Sequence, residues 1–376
     1  MTALPAFPLE MYFSKWEFMA RYNLMASDAQ TISLAQLLAL ARDPEREAWD
    51  LQTFGYVPSR GTPELRRAIA GTYERIAPED VIAFAGAQEG LYCAMHALLG
   101  SADHAVVLLP NYQSMEIVPR SICDVSGVVL DRANGWRLDL DALAAAIRPN
   151  TRVVAVNFPN NPTGKVIPRA DFLALVQLCR DRNLWLFSDE VYRGIERDPA
   201  DTLPQACDLY ERALSLNVLS KAHGLPGLRV GWVACRDSAL IDRLEQLKHY
   251  LSICNPGPSE ILARMALHAA PVLLEKNRAL TARNLALLDA FFARHAARFE
   301  WFRPEGGCVA YPAYLGRERV DEFCRRLVET RGVALLPGSI FASAVGDVPL
   351  EHFRIGYGRA DIPEALAIVD DYLLSA

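Results

Sequence analysis

The sequence predicts an α/β protein: a large domain built on a mostly parallel, seven-stranded sheet, with a smaller α+β domain. Three observations predict it. Short apolar runs alternate with longer helix-like runs through the middle of the chain, which is the signature of a parallel sheet covered on both faces. The alternation gives way to a different pattern near Asn255. The chain has 376 residues, long for a single hydrophobic core.

The strands fall in order at 81–84, 105–109, 127–130, 153–157, 185–188, 213–218 and 231–235. Helix-like stretches at 88–99, 140–147 and 171–182 lie between them. Beyond residue 255 one long helical region, 258–298, precedes short strands at 299–303 and 309–312, a helix at 320–329, a strand at 333–336 and a last helix at 363–374. The first 45 residues are rich in aromatics and then helical from 33 to 41. The expected division is a large domain over 46–255 and a small domain formed by 1–45 with 256–376.

The composition is that of an ordinary folded enzyme, 51% hydrophobic and 22% charged. The net charge of −6 and the lack of a dense basic tract make nucleic acid and anionic membrane poor partners. No apolar stretch is long and clean enough to span a bilayer, and residues 1–16 lack a signal-peptide pattern, so a cytoplasmic protein is expected. Eight scattered cysteines without a C-x-x-C pair are expected to be reduced thiols, and no metal site is expected.

Five motifs carry chemistry. The apolar run 213–219 ends in Ser220-Lys221, followed by Gly224, Gly227 and Arg229. A lysine just beyond a buried strand is partly desolvated, which frees its amine for Schiff-base chemistry; alone, it reads first as a surface lysine, and the extended motif reverses that. Asn160-Asn161-Pro162-Thr163-Gly164 follows the strand at 153–157, at the end where ligands bind in open α/β sheets. It also suits a plain tight turn. Asp189, after the strand at 185–188, either pairs with a protonated heterocyclic nitrogen or caps the next helix. Ala85-Gly86-Ala87-Gln88 opens a helix whose N-terminal amides suit an anion. Arg354, in Phe353-Arg354-Ile355-Gly356, suits a carboxylate held by two parallel hydrogen bonds, or a structural ion pair.

Taken together and in this order, these motifs resemble the class I/II aminotransferases, pyridoxal 5′-phosphate (PLP) enzymes of fold type I. The resemblance runs from about Gln52 to the C-terminus. It implies that Lys221 carries PLP as a Schiff base and then moves the substrate proton as general acid and base. Asp189 would keep the pyridine nitrogen protonated, and Asn161 and Tyr192 would bond the ring oxygen. Tyr112 would stack on the ring. Ala87, Gln88, Ser220 and Arg229 would bind the phosphate, joined by Tyr56 from a second subunit, so a homodimer with shared sites is implied. Arg354 and Asn161 would hold the substrate, an amino acid or a 2-oxo acid. Val218 stands where the family usually has another phosphate-binding hydroxyl.

The N-terminal arm departs from the common pattern and reads Ala26-Ser27-Asp28 through Thr31. Pro8-Leu9-Glu10, the aromatics to Phe18, the start at Ser33-Leu34 and Gly306-Gly307 are similar to the capreomycidine synthase branch, PLP cyclases acting on a modified arginine. Transamination, with elimination, replacement or cyclisation as the alternative, is therefore expected. A non-catalytic ligand-binding protein is the third reading. Asp28 stands where the side-chain pocket is expected and is a candidate partner for a cationic substrate, unless it is a capping or surface residue.

Overall fold

The computed structural model describes residues 4–375; residues 1–3 of the expected small domain, and residue 376, lie outside the described residues. Seven strands form one sheet: β1 (Val81–Phe84), β2 (His104–Leu109), β3 (Asp124–Val129), β4 (Thr151–Asn157), β5 (Trp185–Asp189), β6 (Ala213–Val218) and β7 (Gly231–Ala234). Their order across the sheet is β1-β7-β6-β5-β4-β2-β3. Only β7 runs antiparallel to its neighbours.

The alternating side chains explain why the sheet is covered twice. Val106 and Leu108 of β2, with Val154 and Val156 of β4, pack with Phe172 and Leu175 of the helix Arg169–Asp181. Ala105 and Val107, with Val153 and Ala155, face the opposite way, onto Leu91 and Ala94 of the helix Ala87–Leu98 and Leu240 and Leu244 of the helix Ser238–Lys248. Both faces are therefore apolar, and the strands read as continuous hydrophobic runs.

A separate apolar cluster joins Leu285, Leu288 and Phe292 to Phe323, Phe353, Ile355, Leu366 and Val369, with Leu24 of the N-terminal segment among them. Here the strand Phe353–Gly356 lies between Val309–Ala310 and Leu336–Pro337, antiparallel to both.

The expected long helix is two, Gly257–His268 and Ala270–Arg294. Pro271 sits in the first turn of the second, where its missing N–H costs nothing but where the first helix cannot continue. The expected strand at 333–336 is divided. Val333–Ala334 pairs in parallel with Tyr22–Asn23, and Leu336–Pro337 pairs with Phe353–Gly356. The N-terminal region also holds helices not foreseen, Pro8–Trp16, Asp43–Asp50 and Pro63–Ala70. No helix among the described residues is long and apolar enough to cross a membrane. All eight cysteines are unpaired.

Candidate active site

Parallel order places the C-terminal ends of β4, β5 and β6 side by side, and each end hands over a polar residue. Asn157 closes β4 in register with Asp189, which closes β5. Lys221 lies three residues beyond β6. These ends open on a cavity of about 580 Å3 whose lining includes Asn161, Asp189, Tyr192, Ser220, Lys221 and Arg354. Ala87, Gln88, Tyr112, Arg229 and Asp28 line it too, so eleven of the twelve expected residues meet there. The exception is Tyr56, 93% exposed and not among the lining residues.

Asp189 is buried, and one of its oxygens accepts the Val191 N–H at 3.2 Å. It does not cap a helix. Burial pushes its carboxyl up to about 7, only partly offset by that hydrogen bond and the nearby Lys221 charge. The Lys221 amine points into the cavity and donates to Ser27 Oγ at 2.8 Å. Desolvation lowers its pKa, the Asp28 charge works against that, and the Arg354 charge adds to it.

Arg354 is almost fully buried on its strand. Nη1 donates to Asn161 Oδ1 at 3.0 Å and Nη2 to the Met25 carbonyl at 2.7 Å, while Nε has no partner. It forms no ion pair among the described residues, so the structural-pair alternative falls away. Such an arginine is a guanidinium held in place with a donor to spare, ready for an anion.

In the lining of the same cavity the helix Ala87–Leu98 begins without a side-chain cap, leaving its first amides to the cavity. Gly86 there has φ +101°, and a Cβ would sit 2.5 Å from Arg229 Nη2. Only glycine lets that guanidinium close on the helix start.

Asp28 is neither a cap nor a surface residue. It is buried, and Arg359 Nη2 donates to both of its oxygens at 3.0 Å. The capping residue is Ser33, whose hydroxyl accepts the Gln36 N–H.

Several lining residues were not singled out as site residues. Asn157 Oδ1 accepts the Asn161 N–H at 2.7 Å, and its Nδ2 donates to the Asp189 carbonyl at 3.0 Å, so it braces both. An asparagine ending an apolar strand was the signal. Glu10 and Glu17 come from the N-terminal arm. Tyr112 donates to Glu10 at 3.1 Å, which ties the arm over the cavity. The Glu17 carboxylate makes no hydrogen bond or ion pair among the described residues, and burial raises its pKa against the lowering effect of Arg359.

Residues 24–367 match the family model for class I and II aminotransferases. The chain is 30% identical to capreomycidine synthase of Streptomyces vinaceus over 378 residues, 99% of this chain and 94% of that one. It is 34% identical to the arginine–pyruvate transaminase of Pseudomonas aeruginosa, with 80% and 77% covered. The crystal structure of a PLP-dependent aminotransferase from Streptococcus suis superposes with a TM-score of 0.92 at 27% identity, covering 100% of this chain and 99% of the other.

The cofactor is PLP, and the cavity fits it on three counts. An uncapped helix start beside Arg229 suits a phosphate. A buried carboxylate, Asp189, has no cation bonded to it. A desolvated lysine amine lies in the same cavity.

Proposed function

The chain belongs to the class I and II aminotransferase family, and from that premise we propose that it transfers the α-amino group of an amino acid to a 2-oxo acid. One observation carries the reading: Lys221, Asp189 and Arg354 line one cavity, and none of the three is committed to an ion pair. PLP, when bound, supplies the carbonyl carbon for amines and an electron sink.

The chain's own groups do the rest. Arg354 grips the substrate carboxylate, with Asn161 fixing the guanidinium plane. Asp189 is the partner for the pyridine nitrogen's proton. Lys221 Nζ takes the proton from the substrate Cα, a task that burial favours by keeping the amine neutral nearer to ordinary pH. Asn161 Nδ2 is free to donate to the ring oxygen, Tyr192 Oη lines the same place with its proton given to the Ser27 carbonyl and would have to turn from it to join, and Tyr112 offers the aromatic face. Ala87, Gln88, Ser220 and Arg229 hold the phosphate.

The donor side chain is cationic in this reading. Glu10 and Glu17 line the cavity, and Glu17 lacks a counter-charge bonded to it. The likenesses to capreomycidine synthase and to an arginine–pyruvate transaminase point the same way. The first of them also supports a second reading, cyclisation or elimination on such an amino acid.

A homodimer is the assembly we infer. Leu51, Phe54, Tyr56, Tyr250, Leu251 and Ile253 are all exposed, on two segments that Ser59 Oγ joins by donating to the Ile253 carbonyl at 2.6 Å. An apolar surface of that kind suits a second copy. Tyr56 would then serve the neighbouring phosphate. Eight unpaired cysteines support a reducing, cytoplasmic setting. The separate cluster of Leu24 with residues 285–373 supports a small domain, while Leu37, Leu262 and Leu273 pack with Val81, Ala83 and Trp232 and so favour the large one, against a division into 46–255 and 1–45 with 256–376 at those places.

The test mixes PLP-loaded protein with single amino acids. Conversion of the cofactor to its amine form with release of the matching keto acid is expected. Turnover that leaves the cofactor in its aldehyde state favours the second reading. No reaction with any cationic, neutral or acidic amino acid refutes both.

A further inference from the structure

Lys221 has one hydrogen-bond partner for its amine among the described residues, the hydroxyl of Ser27, 2.8 Å away and 194 residues earlier in the chain. A serine hydroxyl ordinarily rotates among several partners. Here the main chain that carries it is fixed from every side. The Ser27 carbonyl accepts from Tyr192 Oη at 2.9 Å and from Cys308 Sγ at 3.3 Å. Arg354 Nη2 holds the Met25 carbonyl, and the Ala29 N–H donates to the Lys221 carbonyl at 3.1 Å.

Two glycines let this segment sit so deep. A Cβ on Gly356 would lie 1.8 Å from the Ala26 carbonyl oxygen, and one on Gly224 would lie 2.4 Å from that of Gln30. The segment is therefore pressed between the strand that carries Arg354 and the turn that follows Lys221. Each anchor is itself a residue of the cavity or next to one. Ser27 is the only residue of Ala26-Ser27-Asp28 whose side chain reaches the amine; Ala26 has no polar group and Asp28 is spent on Arg359.

We propose that Ser27 is a positioning residue for Lys221, its hydroxyl holding the amine where it exchanges a proton with the substrate Cα. The inference rests on the proposed role of Lys221. In the step, the Cα–H bond breaks, its electron pair stays with the substrate, and an N–H bond forms on Nζ. Ser27 Oγ accepts one N–H throughout and neither gains nor loses a proton. Because it accepts, it favours the ammonium form and moderates the lowering of the Lys221 pKa by burial.

The sign of that effect makes the test. PLP uptake by the apoprotein needs the neutral amine, so its rate against pH reports the Lys221 titration without any turnover. In Ser27→Ala the midpoint is expected to move down by about one pH unit, with Ser27→Thr close to wild type. In the loaded enzyme Ser27→Ala is expected to lose about tenfold in kcat, with the donor KM within about twofold, and Ser27→Thr to recover most of it. A midpoint that stays put overturns the proposal. So does one that moves up, which would mean that the gap merely admits water. If the uptake midpoint moves down while no amino acid reacts, the positioning stands and the aminotransferase reading fails.

Discussion

Arg359 and Asp28 meet inside the cavity through a single guanidinium nitrogen, Nη2, which lies 3.0 Å from both carboxylate oxygens. Asp28, which stands where the side-chain pocket is expected, is thus already paired with a cation. Arg359→Gln would leave Asp28 and Glu17 together without their cation. The cavity turns more acidic, so KM for acidic donors is expected to rise about tenfold and KM for cationic donors to fall severalfold. Steady-state kinetics with matched acidic and cationic donors checks this; a shift in favour of acidic donors would refute the assignment.

Glu17 is the free carboxylate of the pair's surroundings. Glu17→Gln is expected to raise KM for a cationic donor about tenfold and to leave a neutral donor within twofold. The acid side of the profile adds a second reading. Burial raises the Glu17 pKa, so its charge is lost at a higher pH than an ordinary glutamate's as the solution is acidified. Affinity for the cationic donor therefore falls early on acidification in wild type, and that limb is absent in the variant. A limb of equal size in both would sink the assignment.

Arg354 joins the substrate side of the cavity to its frame through Asn161 and Met25. Lysine keeps the charge and loses the planar fork. Arg354→Lys is expected to lower kcat/KM for amino acids by about 100-fold. The comparison that isolates the carboxylate uses the corresponding amine, which lacks it. Wild type should prefer the amino acid strongly, and the variant should lose most of that preference. A preserved preference would move the carboxylate site elsewhere.

The sheet and the Lys221–Asp189–Asn161 group were legible because each is local. An apolar strand followed at once by a polar residue shows both the element and its delivered side chain. Boundaries moved by a few residues, and the single helix at 258–298 divided at Pro271, a breaker visible in the sequence. The N-terminal contribution was not legible in the same way. Asp28 and Arg359 are 331 residues apart, and no periodicity encodes such a meeting. Lys248 is the sharpest case. It follows Leu240 and Leu244 at four-residue spacing, on the buried face of its helix, where a lysine is ordinarily expected to reach out to solvent. Its amine is instead fully buried and donates to the Ser59 carbonyl at 2.6 Å, the Ala83 carbonyl at 2.7 Å and Asn255 Oδ1 at 2.8 Å. Three acceptors drawn from three segments repay its desolvation, which only tertiary structure can supply.

Asp189 gives the sharpest test of electrostatics, because its sign is unusual for a carboxylate. The folded chain without cofactor holds it at about 7, against an ordinary 3.8, through burial. A raised carboxyl pKa favours the folded state fully below about 4, and this contribution is lost as pH rises through about 7. Above that the ionised, desolvated group is a constant penalty. At about 1.4 kcal/mol per pH unit the gap is worth at most roughly 4 kcal/mol. Asp189→Asn keeps an oxygen for the Val191 N–H and removes the charge. Relative to wild type, the apo variant should therefore gain stability between pH 4 and pH 8, by an amount set by that bound. Glu190, also buried and held near 7, is present in both proteins and cancels in the difference. PLP should reverse the order at pH 8, raising Tm more in wild type than in the variant, since only the aspartate offers a counter-charge to a protonated ring nitrogen. Urea unfolding of both apoproteins across that range measures the first effect. A difference between them that stays flat with pH would mean that Asp189 is solvated in the apoprotein, and its role as the ring-nitrogen partner would lose its electrostatic basis.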